Sequence, residues 1–166
     1  MLRKLLEFIF PILKKKSPPV IWETKEDDSR ESPPSLPPVT LSGYALPTAI
    51  LTGVNPRLLV IAKEIINELR KEGYQAVIHN AMRTPEQAAK NAAAGVGIKN
   101  SKHITGQAVD IIDKRYAWNE QHINHIKAFR ASYGSLASQY PEIIWGGTWT
   151  KGKYGALGDW AHIELK

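Results

Sequence analysis

A chain of 166 residues, 43% of them hydrophobic, is long enough for one ordinary domain with a tail. It contains no cysteine, which excludes disulfides, thiolate zinc sites and a cysteine nucleophile, so a metal site must use His, Asp and Glu. The net charge of +6 either indicates that the domain works in polyanionic surroundings or simply keeps it soluble. Because no run of Lys and Arg is interleaved with aromatic residues, no nucleic-acid partner is expected.

The first 42 residues do not have the composition of a folded domain. Residues 1–16 carry five basic groups and one acid around a short apolar stretch. This stretch is far below the roughly 20 residues that a membrane-spanning helix needs, and no signal-peptide cleavage site follows it. Two interpretations remain: weak association of residues 1–16 with an anionic membrane, or a frayed end. Residues 17–42 hold six prolines and predict a disordered linker to a domain at 43–166.

Capping signals mark the helices of that domain. Asn55 is a good N-cap with proline at the first helical position, and apolar residues follow at three- and four-residue steps. Thr84 begins a capping box that Gln87 completes. Three helices are predicted: from Pro56 to Gly73, from Thr84 to near Gly95, and from Trp118 to about Tyr133.

Short apolar runs between these helices indicate strands. Four are predicted: Tyr74 to Ile78, Gln107 to Asp113, Ile143 to Trp145, and Ala161 to Leu165. Helices and strands mix without regular alternation. The predicted fold class is therefore α+β, a small and mostly antiparallel sheet with flanking helices.

Two motifs at the strand edges carry the candidate chemistry. His103 and Asp110 lie seven residues apart, with Gly106 between them to allow a tight turn. Near the other end of the domain, Asp159 precedes His162 by three residues. Two imidazoles and one carboxylate form a natural three-ligand shell for catalytic zinc, and a spare acid can handle the protons of a water molecule there. These residues predict a zinc hydrolase.

The same motifs resemble those of the D-Ala-D-Ala/L-Ala-D-Glu zinc peptidases that cut bacterial peptidoglycan. The wider pattern is most similar to bacteriophage endolysins of the L-alanyl-D-glutamate peptidase type and covers about residues 55 to 166. Its parts are Arg83-Thr84 before a glutamine-bearing helix, Ser101-Lys102-His103-Ile104-Thr105-Gly106, Trp145-Gly146-Gly147-x-Trp149, and His162-Ile163-Glu164-Leu165.

The resemblance implies a role for each matching residue. The metal ligands would be His103, Asp110 and His162, and Asp159 would be the general base and acid. Arg83 would face the substrate carbonyl and stabilise the oxyanion, unless it is simply salt-bridged. Ser101 and Gln87 would lie near the bound peptide. The implied fold is the zinc peptidase fold of the D-Ala-D-Ala carboxypeptidase and hedgehog type, which agrees with the α+β prediction.

The implied activity is zinc-dependent hydrolysis of an amide bond in the peptidoglycan stem peptide. The expected enzyme is a monomeric L-Ala-D-Glu endopeptidase that is made in the host cytoplasm and acts on the wall or periplasm during host-cell lysis. Two alternatives remain open: a D-Ala-D-Ala carboxypeptidase, and a non-catalytic wall-binding module that retains zinc.

Several neighbouring side chains have two interpretations each. Glu164 either orients a metal ligand or faces solvent. Trp145 and Trp149 either line the cleft or pack in the core. His122 and His125, three residues apart on a predicted helix, either form a metal pair or are solvated.

Overall fold

Three helices and four strands make up the part of the chain that the computed structural model describes, residues 40–149 and 157–166. They are, in chain order, α1 (Pro56–Lys71), β1 (Ala76–Asn80), α2 (Pro85–Ala93), β2 (Ala108–Asp113), α3 (Ile123–Ala137), β3 (Ile143–Trp145) and β4 (His162–Leu165). The predictions for residues 1–16, and for the linker as far as residue 39, lie outside the described residues. Within the described ranges, no helix combines the length and apolar character that crossing a bilayer requires.

The capping signals give the helix starts correctly. The Asn55 side chain accepts a hydrogen bond from Arg57 N at 2.9 Å at the start of α1. At α2, Thr84 Oγ1 accepts from Gln87 N and the Gln87 side chain accepts from Thr84 N. The third helix starts later than predicted because Asn119 caps a separate 3₁₀ turn, and α3 begins only after that turn.

The sheet has the strand order β1-β2-β4-β3, and each neighbouring pair is antiparallel. Helix α1 packs against β1 and β2, helix α3 packs against β3, and the two helices contact each other. Their apolar faces and the sheet form the core, which includes the fully buried Leu58, Ile61, Ile65, Ile78, Val109, Ile111 and Ile163. The α+β prediction with a small antiparallel sheet is therefore confirmed, although β1 lies two residues further along the chain than predicted.

Alternation along β2 explains how a polar residue enters this apolar sheet. Val109 and Ile111 are fully buried in the core, whereas Asp110 between them points to the opposite face. This second face of the sheet carries the candidate site.

Candidate metal centre

The strand register brings three polar side chains into one row. Asp110 on β2 lies opposite His162 on β4 and opposite Asn80 on β1. A register irregularity between Ile78 and Asn80 brings Asn80 into this alignment. Since residues opposite each other on antiparallel strands point to the same face, the three side chains are neighbours across the sheet.

His103 reaches the same row from a 3₁₀ helix, Lys102–Thr105. The Ser101 hydroxyl caps this helix by accepting a hydrogen bond from His103 N at 3.4 Å. Gly106 ends it in the left-handed conformation at φ 68°, where a Cβ atom would lie 2.1 Å from the backbone oxygen of Gly53. Only glycine fits there, so Gly106 fixes the position of His103 relative to β2.

The side chains of His103, Asp110 and His162 meet in a nearly equilateral triangle. His103 Nε2 lies 3.2 Å from His162 Nδ1, and Asp110 Oδ1 lies 3.3 Å from the first nitrogen and 3.1 Å from the second. Ligand bonds of about 2.0–2.1 Å in tetrahedral geometry place ligand atoms about 3.3 Å apart. The triangle therefore has the dimensions of a metal-ligand set, and these three residues could hold a metal ion.

Hydrogen bonds behind the triangle fix which ring nitrogen faces it. His103 Nδ1 lies 2.6 Å from the carbonyl oxygen of Ala81, which can only accept, so this nitrogen carries the proton. His162 Nε2 lies 3.1 Å from Glu164 Oε2 and donates in the same way. Two ring lone pairs and a carboxylate oxygen therefore converge on one point, an arrangement that a cation between them stabilises.

The electrostatics of the triangle favour an ionised carboxylate. Burial acts to raise the pKa of Asp110, but whenever His103 and His162 are protonated on the nitrogens that face it, their hydrogen bonds and charge outweigh burial and hold this pKa well below its usual range. Burial acts to lower the pKa of His162, but Asp110 and Glu164 raise it above the ordinary value. Asp110 is therefore in the charged form that binds a metal.

Glu164 joins the two histidine-bearing segments. Besides accepting from His162, its carboxylate pairs with Lys102 Nζ at 3.2 Å. Lys102 is the residue before His103 and also donates to the backbone oxygen of Leu165. Of the two interpretations of Glu164, orientation of a ligand agrees with these contacts.

Six of the seven predicted site residues line one open cleft of about 440 Å³. Besides the triangle, the cleft wall contains Arg83, Ser101 and Asp159. The Arg83 guanidinium makes no ion pair with any residue in 40–149 or 157–166, so the salt-bridge interpretation has no partner there. Asp159 is held next to β4, because its N–H donates to Gly146 O at 2.9 Å and its carbonyl accepts from His162 N at 3.0 Å.

Gln87 is the predicted site residue that the structure does not bring into the cleft. Its side chain is exposed, and the amide oxygen accepts a hydrogen bond from Thr84 N at 2.9 Å. The glutamine thus completes the capping box of α2, a structural role that the sequence motif equally predicts.

The two tryptophans of the glycine-containing loop have different environments. Trp149 lines the cleft, with its ring centroid 5.3 Å from that of His162. Trp145 packs against the core, and its Nε1 donates to Trp160 O at 2.9 Å. Lining of the cleft is therefore the correct interpretation for Trp149, and packing in the core is the correct one for Trp145.

Neither interpretation of His122 and His125 describes His125, which is only partly exposed and has structural partners. Its Nε2 lies 3.0 Å from Asp113 Oδ2, and Tyr74 and Tyr116 pack against its ring. The exposed His122 also packs against Tyr116, with ring centroids 4.3 Å apart. The pair belongs to a structural cluster on the helical side of the sheet, away from the cleft.

Two supporting groups were missed from the sequence. The Asn80 side chain donates to Asp110 Oδ2 at 3.3 Å, and the Ala81 carbonyl orients His103. A polar residue at the end of an apolar strand is a signal for Asn80, but a backbone carbonyl leaves no signal in the side-chain pattern.

Comparisons with known proteins agree with this architecture. The model of the phage L-alanyl-D-glutamate peptidase family matches residues 45–165. Among solved structures, the chain is similar to the L-Ala D-Glu endopeptidase ChiX of Serratia marcescens, with 20% identity and a TM-score of 0.51 over 70% of this chain and 83% of that one. It is also similar to the LD-carboxypeptidase LdcB, with 15% identity and a TM-score of 0.52 over 74% of this chain and 64% of that one. At these identities the structural likeness shows the fold. A comparison with curated protein sequences found no significant match.

Proposed function

This chain belongs to the phage L-alanyl-D-glutamate peptidase family, and on that premise we propose that it hydrolyses the bond between L-alanine and D-glutamate in the peptidoglycan stem peptide of the bacterial wall. The observation that carries the proposal is the triangle of His103, Asp110 and His162 at the base of an open cleft. Among the described residues this cleft is open to solvent, as an endopeptidase requires.

The donor set supports zinc as the metal. Two neutral imidazole nitrogens and one carboxylate oxygen are a common catalytic zinc shell that leaves a coordination position open. The ring protons point away from the triangle, towards Ala81 and Glu164, so both histidines are in the tautomer that ligation needs. When bound there, zinc supplies Lewis acidity, which polarises a carbonyl group and lowers the pKa of water to about 7.

The residues around the triangle divide the remaining chemistry. Asp159 accepts the proton of the attacking water at its carboxylate and donates it to the leaving amine of D-glutamate. Arg83 donates hydrogen bonds to the carbonyl oxygen as negative charge develops on it, a role suited to a guanidinium because its charge does not titrate away. The position of both side chains in the cleft wall supports these assignments.

Mass spectrometry of muropeptides after digestion tests the proposal directly. Purified peptidoglycan is incubated with the protein, with and without a chelator, and the new termini are identified. We expect fragments that begin with D-glutamate, and we expect the chelator to abolish them. Release of free D-alanine would instead indicate a D-Ala-D-Ala carboxypeptidase. Zinc binding without any cleavage would indicate a non-catalytic module.

A further inference from the structure

A β-bulge in β1 brings Asn80 to the cleft face of the sheet. The partners of Ile78 and Asn80 on β2 are adjacent residues, so His79 is an additional residue in β1. Without it, alternation would turn Asn80 to the same face as Ile78, which is fully buried in the core. The additional residue reverses this direction, and Asn80 lines the cleft beside Asp110.

The two carboxylate oxygens of Asp110 have different partners. Oδ1 belongs to the triangle, 3.3 Å from His103 Nε2 and 3.1 Å from His162 Nδ1. Oδ2 accepts a hydrogen bond from Asn80 Nδ2 at 3.3 Å. A carboxylate oxygen can only accept, so the amide nitrogen of Asn80 must face it. Because the Asp110 side chain is only 15% exposed, water does not readily take the place of this donor.

The number of oxygens that Asp110 gives to a metal decides how many coordination positions stay open. Two imidazole nitrogens and one oxygen leave the fourth position of a tetrahedral catalytic site for water. A carboxylate can also bind through both oxygens, and the second oxygen then takes up part of that space. The hydrogen bond from Asn80 opposes this second mode, because Oδ2 would have to leave its donor to reach the metal.

A neutral amide is well suited to this task. A Lys or Arg at the same place would form a charge-assisted bond and compete with the metal for the negative charge of Asp110. The amide of Asn80 has no net charge, so it holds one oxygen and leaves the charge of the carboxylate to the metal.

We propose that Asn80 is a positioning residue that restricts Asp110 to binding the metal through Oδ1 alone. This inference rests on the metal centre of the function proposed above and deepens it, since it names the residue that keeps a position of the metal open to water and substrate. It also gives the β-bulge a role, because the bulge is what turns Asn80 towards Asp110.

Cobalt(II) in place of zinc tests this directly. Cobalt(II) accepts the same ligands, and its visible absorption is strong in a four-coordinate site and weaker in a five-coordinate one. The full-length wild-type chain loaded with cobalt should show the strong bands. Asn80→Leu replaces the donor by an apolar side chain of the same branched shape, so Oδ2 should join the ligands and the bands should lose intensity.

Two further variants keep the test decisive. Asn80→Ala removes the donor without adding bulk and should weaken the bands in the same way, even if the leucine variant does not fold. Asn91→Leu is the matched control, because Asn91 also lines the cleft but takes part in none of the hydrogen bonds of the triangle in the described residues. It should retain the wild-type spectrum.

The outcomes separate this inference from the proposed function. Strong bands in a folded Asn80 variant, or weak bands already in the wild type, overturn the role of Asn80 while the metal centre stands. Loss of cobalt binding in both Asn80 variants also overturns it, because Asn80 would then determine affinity and not the choice of oxygen. If the wild type takes up no cobalt, the metal centre fails and the inference fails with it.

Discussion

Replacing Glu164 by leucine removes the carboxylate that accepts a hydrogen bond from His162 Nε2 and pairs with Lys102. The side chain is only 15% exposed, so water does not readily replace the lost acceptor. His162 then has no partner that holds its proton on Nε2, and the Nδ1 lone pair no longer faces the triangle in every molecule. We expect weaker zinc binding as the direct consequence.

Two independent magnitudes agree on the size of this effect. A hydrogen bond to a charged group contributes about 1.5–3 kcal/mol. Loss of a residue that supports a metal ligand typically costs about 10–100-fold in affinity, which is about 1.4–2.7 kcal/mol. We therefore expect Glu164→Leu to raise the zinc Kd about 10–100-fold. Glu164→Gln retains an acceptor oxygen without the charge and should lose no more than about tenfold.

The assay is a competition titration of the metal-free protein against a chromophoric chelator at fixed pH. Nitrogen NMR of the same metal-free samples reports the tautomer of His162, which should be Nε2–H in the wild type and mixed in Glu164→Leu. Glu142→Gln is a matched control, since it removes an exposed carboxylate that pairs with Arg57 far from the cleft. Wild-type zinc affinity and a single His162 tautomer in Glu164→Leu would refute the reasoning.

Three other predictions concern the proton carrier, a glycine turn and a buried ion pair. Asp159→Asn should keep its zinc content but lower muropeptide release at least about 100-fold, and wild-type release would exclude it as the base. Gly106→Ala should lower the free energy of unfolding in urea by more than about 2 kcal/mol, because its Cβ would lie 2.1 Å from a backbone oxygen. Gly43 has a similar φ but nothing within 4 Å of its Cβ position, so Gly43→Ala should cost only the backbone strain of about 1 kcal/mol. Burial acts to raise the pKa of Asp113, but Arg115 outweighs it and lowers this pKa to about 2. The ionised Asp113 therefore stabilises the fold fully above the ordinary pKa near 4, and this stabilisation is lost as the pH falls through about 2. Asp113→Asn should accordingly lower the free energy of unfolding by about 2 kcal/mol at pH 7 and by little at pH 2, as measured in denaturant titrations.

Local signals in the sequence were sufficient for the helix starts. Asn55 and the pair of Thr84 and Gln87 act within three residues of themselves, and the caps form as predicted. Asn119 shows where this reasoning is incomplete, because the same kind of cap there begins a 3₁₀ turn and delays α3. Whether a cap starts an α-helix or a shorter turn depends on packing that the cap itself does not encode.

The candidate site depends on contacts between residues far apart in the chain. The motif spacing predicted that His103 and His162 lie close together, although 59 residues separate them, and the two ring nitrogens are 3.2 Å apart. The alignment of Asn80 with Asp110 follows from a strand irregularity, which a pattern of apolar residues does not reveal. Gln87 shows the opposite limit, because the same residue matched both a family motif, which predicted a place near the substrate, and a capping box. Its observed contact is the hydrogen bond of the capping box.

The strand order also has a temporal consequence during synthesis. Strand β4 carries His162 and lies between β2 and β3, although both of those strands precede it in the chain. A nascent chain that has emerged only as far as β3 therefore has a gap in its sheet and only two members of the triangle. His162 completes the triangle only when β4 enters that gap, so we expect a ribosome-bound fragment that stops short of β4 to lack the complete proposed metal site.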